Sequence, residues 1–126
     1  MITLRFLAFI AIAWALPSAA LAAPKPQTRC GWFDNPTPQN VWLYDGDDDW
    51  TISMAGGHVA EGDWPQFKDS RWVYSGNASY GYGCACMRVQ VNAETSEIDR
   101  ILSARARPLA ACRQDPRLRG KEPKLR

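Results

Sequence analysis

Four cysteines carry the clearest chemistry in this sequence: Cys30, Cys84, Cys86 and Cys112. An even number of cysteines in an exported chain reads as two disulfides, and sequence alone allows three pairings. Cys84 and Cys86 are separated by a single residue. On a strand they would point to the same side about 7 Å apart, beyond an unstrained bridge. Each is therefore expected to pair outward, one with Cys30 and the other with Cys112, in an order the spacing does not decide. Zinc binding by all four is the weaker reading, because C-x-C spans a tetrahedral ligand pair poorly compared with C-x2-C. A redox-active C-x-C is weaker still.

Other residue groups carry less. Asp45, Asp47 and Asp49 occupy positions 1, 3 and 5 of a calcium-loop pattern, but position 6 is Trp50 and position 12 is Gly56. The glycine turn and the bidentate glutamate are missing, so a solvated hairpin tip is expected and no metal is assigned. His58 is the only histidine, it stands in no nucleophile motif, and no catalytic residue is assigned. Glycosidase chemistry needs two carboxylates with divergent pKa values. Glu61 and Asp63, near loop aromatics, are the pair that could serve it. No phosphate-cradling glycine motif is present, and no cofactor is expected.

Aromatic residues are the more suggestive feature. Tryptophans at 32, 42, 50, 64 and 72, tyrosines at 44, 74, 80 and 82, and phenylalanines at 33 and 67 outnumber what a small core can hide. Some rings are expected at the surface, with a binding face near Trp32, Trp64, Tyr80 and Tyr82. Such rings suit a protein interface or the flat face of a sugar.

The elements that must position these residues follow in chain order. A basic Arg5, an apolar run from Phe6 to Leu16 and the small-residue ending Ala20-Leu21-Ala22 read as a signal peptide spanning 1–22. The apolar run is too short to span a bilayer, so a periplasmic or secreted chain cleaved near Ala22 is expected. Residues 23–29 are a proline-containing lead-in. Asp34–Asn40, with prolines at 36 and 38, reads as a turn or short extended link. Val41–Tyr44 and Trp50–Met54 form a hairpin around the Asp45–Asp49 tip, whose aspartates are expected to point into water.

Gly62 and Pro65 break the stretch 61–70 into loop, and Arg71–Tyr74 restarts strand character. The central strand then runs through S-Y-G-Y-G-C-A-C-M-R-V-Q-V, residues 79–91. Tyr80, Tyr82, Cys84, Cys86 and Arg88 fall on one face, and Gly81, Gly83, Ala85, Met87, Val89 and Val91 on the other. The two glycines leave a trough that a ring, expected to be a tryptophan, or another backbone can enter. Ile98–Ala106 fits either a return strand or helical spacing, and the hairpin context favours strand.

Charge is uneven. Residues 23–99 hold 5 Lys/Arg against 11 Asp/Glu, whereas 100–126 hold 9 against 2. The two ends could attract each other, although residues 113–126 read as a disordered basic tail. Export and the acidic body argue against nucleic acid as a partner.

Several segments together resemble an uncharacterised family of small exported bacterial proteins, domain of unknown function 4087. They are R-C-G-W-F-D-N-P-T-P at 29–38, W-T-I-S at 50–53, A-E-G-D-W-P at 60–65, Y-G-Y-G-C-A-C at 80–86 and the P-L-x-x-C-R ending at Arg113. The resemblance implies a periplasmic protein and brings no activity. The expectation is thus a mainly β chain: one small antiparallel domain over 30–112, stapled by two disulfides, with irregular loops. It would act as a non-enzymatic module contacting an envelope protein or cell-wall glycan. The alternatives are a small cell-wall hydrolase using Glu61 and Asp63, or a passive structural protein.

Overall fold

A computed structural model describes residues 12–17 and 23–125. Most of the segment read as a signal peptide, with its cleavage site, lies outside the described residues. Six strands form one sheet: β1 (Gln27–Thr37), β2 (Asn40–Tyr44), β3 (Asp49–Ser53), β4 (Trp72–Tyr74), β5 (Gly81–Asn92) and β6 (Glu97–Arg107). A short helix, α1 (Leu109–Arg113), and 3-10 turns at Asp69–Arg71 and Pro116–Leu118 complete the elements.

The strand order is β1-β2-β3-β6-β5-β4, and β1 also pairs with β5. The pairings β1–β2–β3–β6–β5–β1 therefore close a circuit, with β4 added beside the start of β5. Five strands cannot alternate direction all the way round a ring. One neighbouring pair must run parallel, and it is β3 with β6, joined at Thr51 and Glu97. The sheet is mixed, which corrects the expectation of a purely antiparallel one. Ile98–Ala106 lies within β6 as a strand, held to β5 from Asn92↔Glu97 to Cys84↔Arg107.

β5 organises the rest. Its inward residues Ala85, Met87, Val89 and Val91 are buried with Phe33, Val41, Leu43, Trp50, Ile52, Ile98 and Ile101. Trp64, Phe67 and Trp72 pack against that core from the long loop. On the outward face Tyr82 and Cys84 are buried with Trp32, Cys112 and Leu118. The first half of this strand thus has both faces covered, which explains why its backbone is paired on both sides. The disulfides are Cys30–Cys86 and Cys84–Cys112, so each member of the C-x-C does pair outward. With sequence separations of 56 and 28, chain-entropy arguments give about 4 kcal/mol for each bridge.

Three expectations change. Asp34–Asn40 is not a link: β1 continues to Thr37, with the register shifting between Asp34 and Thr37 so that Pro36 sits where no ladder partner is needed. The turn is confined to Pro38 and Gln39, the latter at φ 62. In the glycine trough, a Cβ on Gly83 would lie 2.5 Å from the Phe67 ring, so phenylalanine, not tryptophan, fills that place. At Gly81 the space is taken by the Val73 carbonyl, with the Trp72 indole beside it.

The third change concerns the basic tail, which is not disordered over its described part. Leu118 is buried, Arg117 pairs with Asp47, and Lys121 donates to the Asp45 carbonyl. Burial of one leucine is worth about 1.5–3 kcal/mol, which opposes the ordering entropy of a short segment. The opposite charges of the two chain regions do meet.

Gly83→Ala should destabilise the fold by about 1–3 kcal/mol, because the rigid Phe67 ring and the Arg71 carbonyl must move. Gly57→Ala, where the nearest atom is 3.8 Å away, should stay within about 0.5 kcal/mol. Urea titration of both variants checks the contrast.

Candidate functional site

Strand register assembles a group of residues that the chain keeps apart. Trp42 on β2 lies opposite Asp34 on β1, which in turn lies opposite Tyr82 on β5, and Tyr82 opposite Val73 on β4. Directly opposed residues face the same side of a sheet, so these four form one transverse row on the outer face. The next row runs Tyr44, Trp32, Cys84, Arg107. The Tyr44 hydroxyl reaches across from this second row and donates to Asp34 Oδ2 at 3.2 Å. A carboxylate is thereby set between an indole and two phenols.

These residues line a cleft of about 750 Å³, with Asp34, Trp42, Tyr44 and Tyr82 along the sheet and Asn77 and Lys124 on the rim. The size falls in the range of small-molecule sites. Tyr82 is buried, and its ring meets Trp32 edge to face at 5.4 Å. Burial foremost, then the nearby Glu122 charge, raises the phenol pKa above its ordinary value of 10.0, while hydrogen bonding to Arg113 opposes the rise. The phenol stays protonated at neutral pH, hydrogen-bonded to Glu122 and Arg113 beside the cleft. Arg113, paired with Glu122, is held above its ordinary value chiefly by that hydrogen bond and so remains a fixed cation.

The four rings nominated from sequence do not share a surface. Trp32 is 1% exposed and sits buried in the neighbouring row of the same face. Tyr82 lines the cleft. Trp64 packs against Phe33 at 6.0 Å on the core side, where it borders a separate open depression with Gly62, Asp63 and Gln66. Tyr80 is half-buried in the turn before β5. Sequence reasoning missed Asp34, Trp42 and Tyr44. The signal was present in the parity of Trp32 and Asp34, but it is visible only if β1 is carried through its prolines.

The acidic tip also differs from the expected solvated loop. Asp45 is buried, and its Oδ1 accepts from the backbone N–H groups of Asp47 and Asp48 at 2.8 and 2.9 Å. Arg29 donates to Asp45 Oδ2 and to Asp47, and its guanidinium lies 4.8 Å from the centroid of a Trp50 ring. The carboxylates at 45 and 47 serve Arg29, Arg117 and the turn backbone. Among the described residues no cluster of three or more His, Cys, Asp or Glu could hold a metal ion. His58 Nε2 lies 2.7 Å from the Ile98 carbonyl and Nδ1 3.5 Å from Glu97, a link between the loop and β6. Glu61 is ion-paired with Arg100.

A closed circuit of short strands, two disulfides and an aromatic cleft around a carboxylate define a small, disulfide-stapled β domain with a ligand-sized concavity. Disulfides of this kind fit an oxidising environment, and no described helix is long and apolar enough to cross a membrane. The chain belongs to the family described as protein of unknown function (DUF4087), whose model matches residues 24–119. Neither the curated proteins nor the solved structures contain a match to it.

The tip yields a test by acid. Hydrogen bonding from Ser96, then from the Asp49 backbone, lowers the Asp48 pKa below its ordinary 3.8. A depressed carboxylate stabilises the fold above its unfolded pKa, and that contribution is lost as pH falls through the lower folded value. Ser96→Ala should therefore lose stability at pH 6 and show a shallower fall between pH 5 and the acid limit, read by thermal melts across that range.

Proposed function

We propose that this chain is an exported, non-enzymatic module of the bacterial envelope whose outer-face cleft takes a cell-wall glycan. The observation that carries the reading is the row Trp42–Asp34–Tyr82, with Tyr44 bonded to the carboxylate. Sugars present apolar ring faces beside fans of hydroxyl groups. Indole and phenol rings match the first, while the Asp34 carboxylate, whose oxygens can accept beyond the bond from Tyr44, and the Asn77 amide match the second. Export is supported by the charged start and apolar run before Ala22, by the paired cysteines and by the family resemblance. Cleavage near Ala22 would release the folded domain into the periplasm.

An envelope protein is the other partner this cleft could take, since Trp and Tyr also anchor protein interfaces. The hydrolase alternative draws less support, because the Glu61 carboxylate is paired with Arg100 and only Asp63 borders the open depression.

Calorimetric titration of the mature domain with soluble peptidoglycan fragments tests the reading. Binding should weaken at least about tenfold in Trp42→Ala and in Asp34→Asn, with the fold retained by near-UV circular dichroism. Trp64→Ala should leave affinity unchanged. Absence of binding by the unmodified domain, or loss of binding through Trp64 alone, overturns it. Release of soluble fragments that Glu61→Gln abolishes would favour the hydrolase instead.

A further inference from the structure

The two disulfides occupy unlike environments. Cys84 and Cys112 are 2% and 3% exposed and are sealed among Trp32, Tyr82 and Leu118. Cys30 is exposed, whereas its partner Cys86 is buried at 3%. Cys30 and Cys86 face each other directly across β1 and β5, so this bridge lies flat on the outer sheet face.

Its surroundings on that face are cationic. Arg107 donates through Nη1 to Cys86 Sγ at 3.3 Å. Arg105 stands directly opposite Cys86 on β6, and Arg88 stands two residues along β5 on the same side, opposite Thr28 and Ser103. No carboxylate occupies these register positions. The bridge therefore joins an exposed cysteine to a buried one whose thiolate, once released, meets a guanidinium already in hydrogen-bond contact.

The geometry points to Cys30–Cys86 as a thiol–disulfide exchange site, taking electrons from a small thiol or a dithiol while Cys84–Cys112 stays closed. Exchange begins when an external thiolate attacks the sulfur of the exposed cysteine, Cys30 Sγ. A new sulfur–sulfur bond forms there as the Cys30–Cys86 bond breaks, and its electron pair leaves on Cys86 as thiolate. Arg107 stabilises that leaving group, which speeds departure as any lowering of leaving-group basicity does. With a dithiol, the second thiolate attacks the external sulfur of the mixed disulfide and releases Cys30. Two electrons have then passed to the protein, and the dithiol has become a disulfide. The domain tolerates this because β1 keeps its ladder to β5 from Gln27 to Asn35 and the buried bridge still holds α1.

The test uses the oxidised mature domain at pH 7.5 with reduced glutathione, followed by alkylation and peptide mass mapping. The first adduct should be glutathione on Cys30 with a free Cys86. Dithiothreitol should then reduce Cys30–Cys86 at least about tenfold faster than Cys84–Cys112, with near-UV circular dichroism retained. Arg107→Gln should slow the first step about threefold or more, and Arg107→Lys should restore part of it. A Cys30→Ser/Cys86→Ser variant that stays folded with Cys84–Cys112 intact shows that the bridge is dispensable to the fold. Equal reduction of both bridges, an adduct on Cys86, reduction only on unfolding, or an Arg107→Gln rate equal to that of the unmodified domain each overturns the assignment.

Discussion

The structure depends on a strand whose first half, from Gly81 to Met87, is buried on both faces. β5 carries Ala85, Met87, Val89 and Val91 into the core and Tyr82, Cys84 and Cys86 toward the outer layer. Once both faces are withdrawn from water, every backbone N–H and C=O of the strand needs a partner in the sheet. β1 supplies them along one edge, β6 and then β4 along the other. Closure of the circuit through β2 and β3 follows, and with it the parallel contact that an odd ring requires.

Electrostatics finishes what burial begins. The acidic tip between β2 and β3 is neutralised from two directions, by Arg29 from the start of β1 and by Arg117 and Lys121 from the far end of the chain. Surface ion pairs contribute little individually. Here Asp45 is buried and also binds two turn N–H groups, so the tip is an ordered anchor rather than a loose loop. Leu118 fixes the returning segment against Trp32 and Tyr82, and Pro123–Leu125 consequently borders the cleft. The net charge split along the chain is thus a device of the fold, not a separate binding tail.

The outer face of the sheet divides into a cleft and an exposed bridge. Around Asp34 the face is concave and aromatic; at Cys30 it is exposed, and beside the buried Cys86 it is cationic. The Tyr44–Trp32–Cys84–Arg107 row lies between them, and Trp32 and Cys84 at its centre are buried. The proposed ligand capture in the cleft and the proposed exchange at the Cys30–Cys86 bridge would use the two ends of one face, and the row between them lends Tyr44 to the first and Arg107 to the second.

Local pattern was sufficient where it is short in range. The alternation of 79–91 assigns its two faces correctly, the Asp-Gly hairpin joins β2 to β3, and the unfavourable reach between Cys84 and Cys86 sends each to a distant partner. What sequence reasoning could not reach depends on contacts between segments far apart in the chain. Pro36 is compatible with β1 only because the register shifts there, and Phe67 fills Gly83 only because a long loop folds back over the core. The order of the disulfides was left open because Cys84 and Cys86 share a face and differ only in which row each occupies. The cleft lies further still from the linear code: Asp34, Trp42 and Tyr82 meet through the registers of three strands, and a shift of one residue would send any of them to the opposite face. Residue types and spacing determined the staples and the strands, because these follow from local chemistry. Tertiary structure alone decided which side chains stand together, because register is set by the burial of the whole sheet.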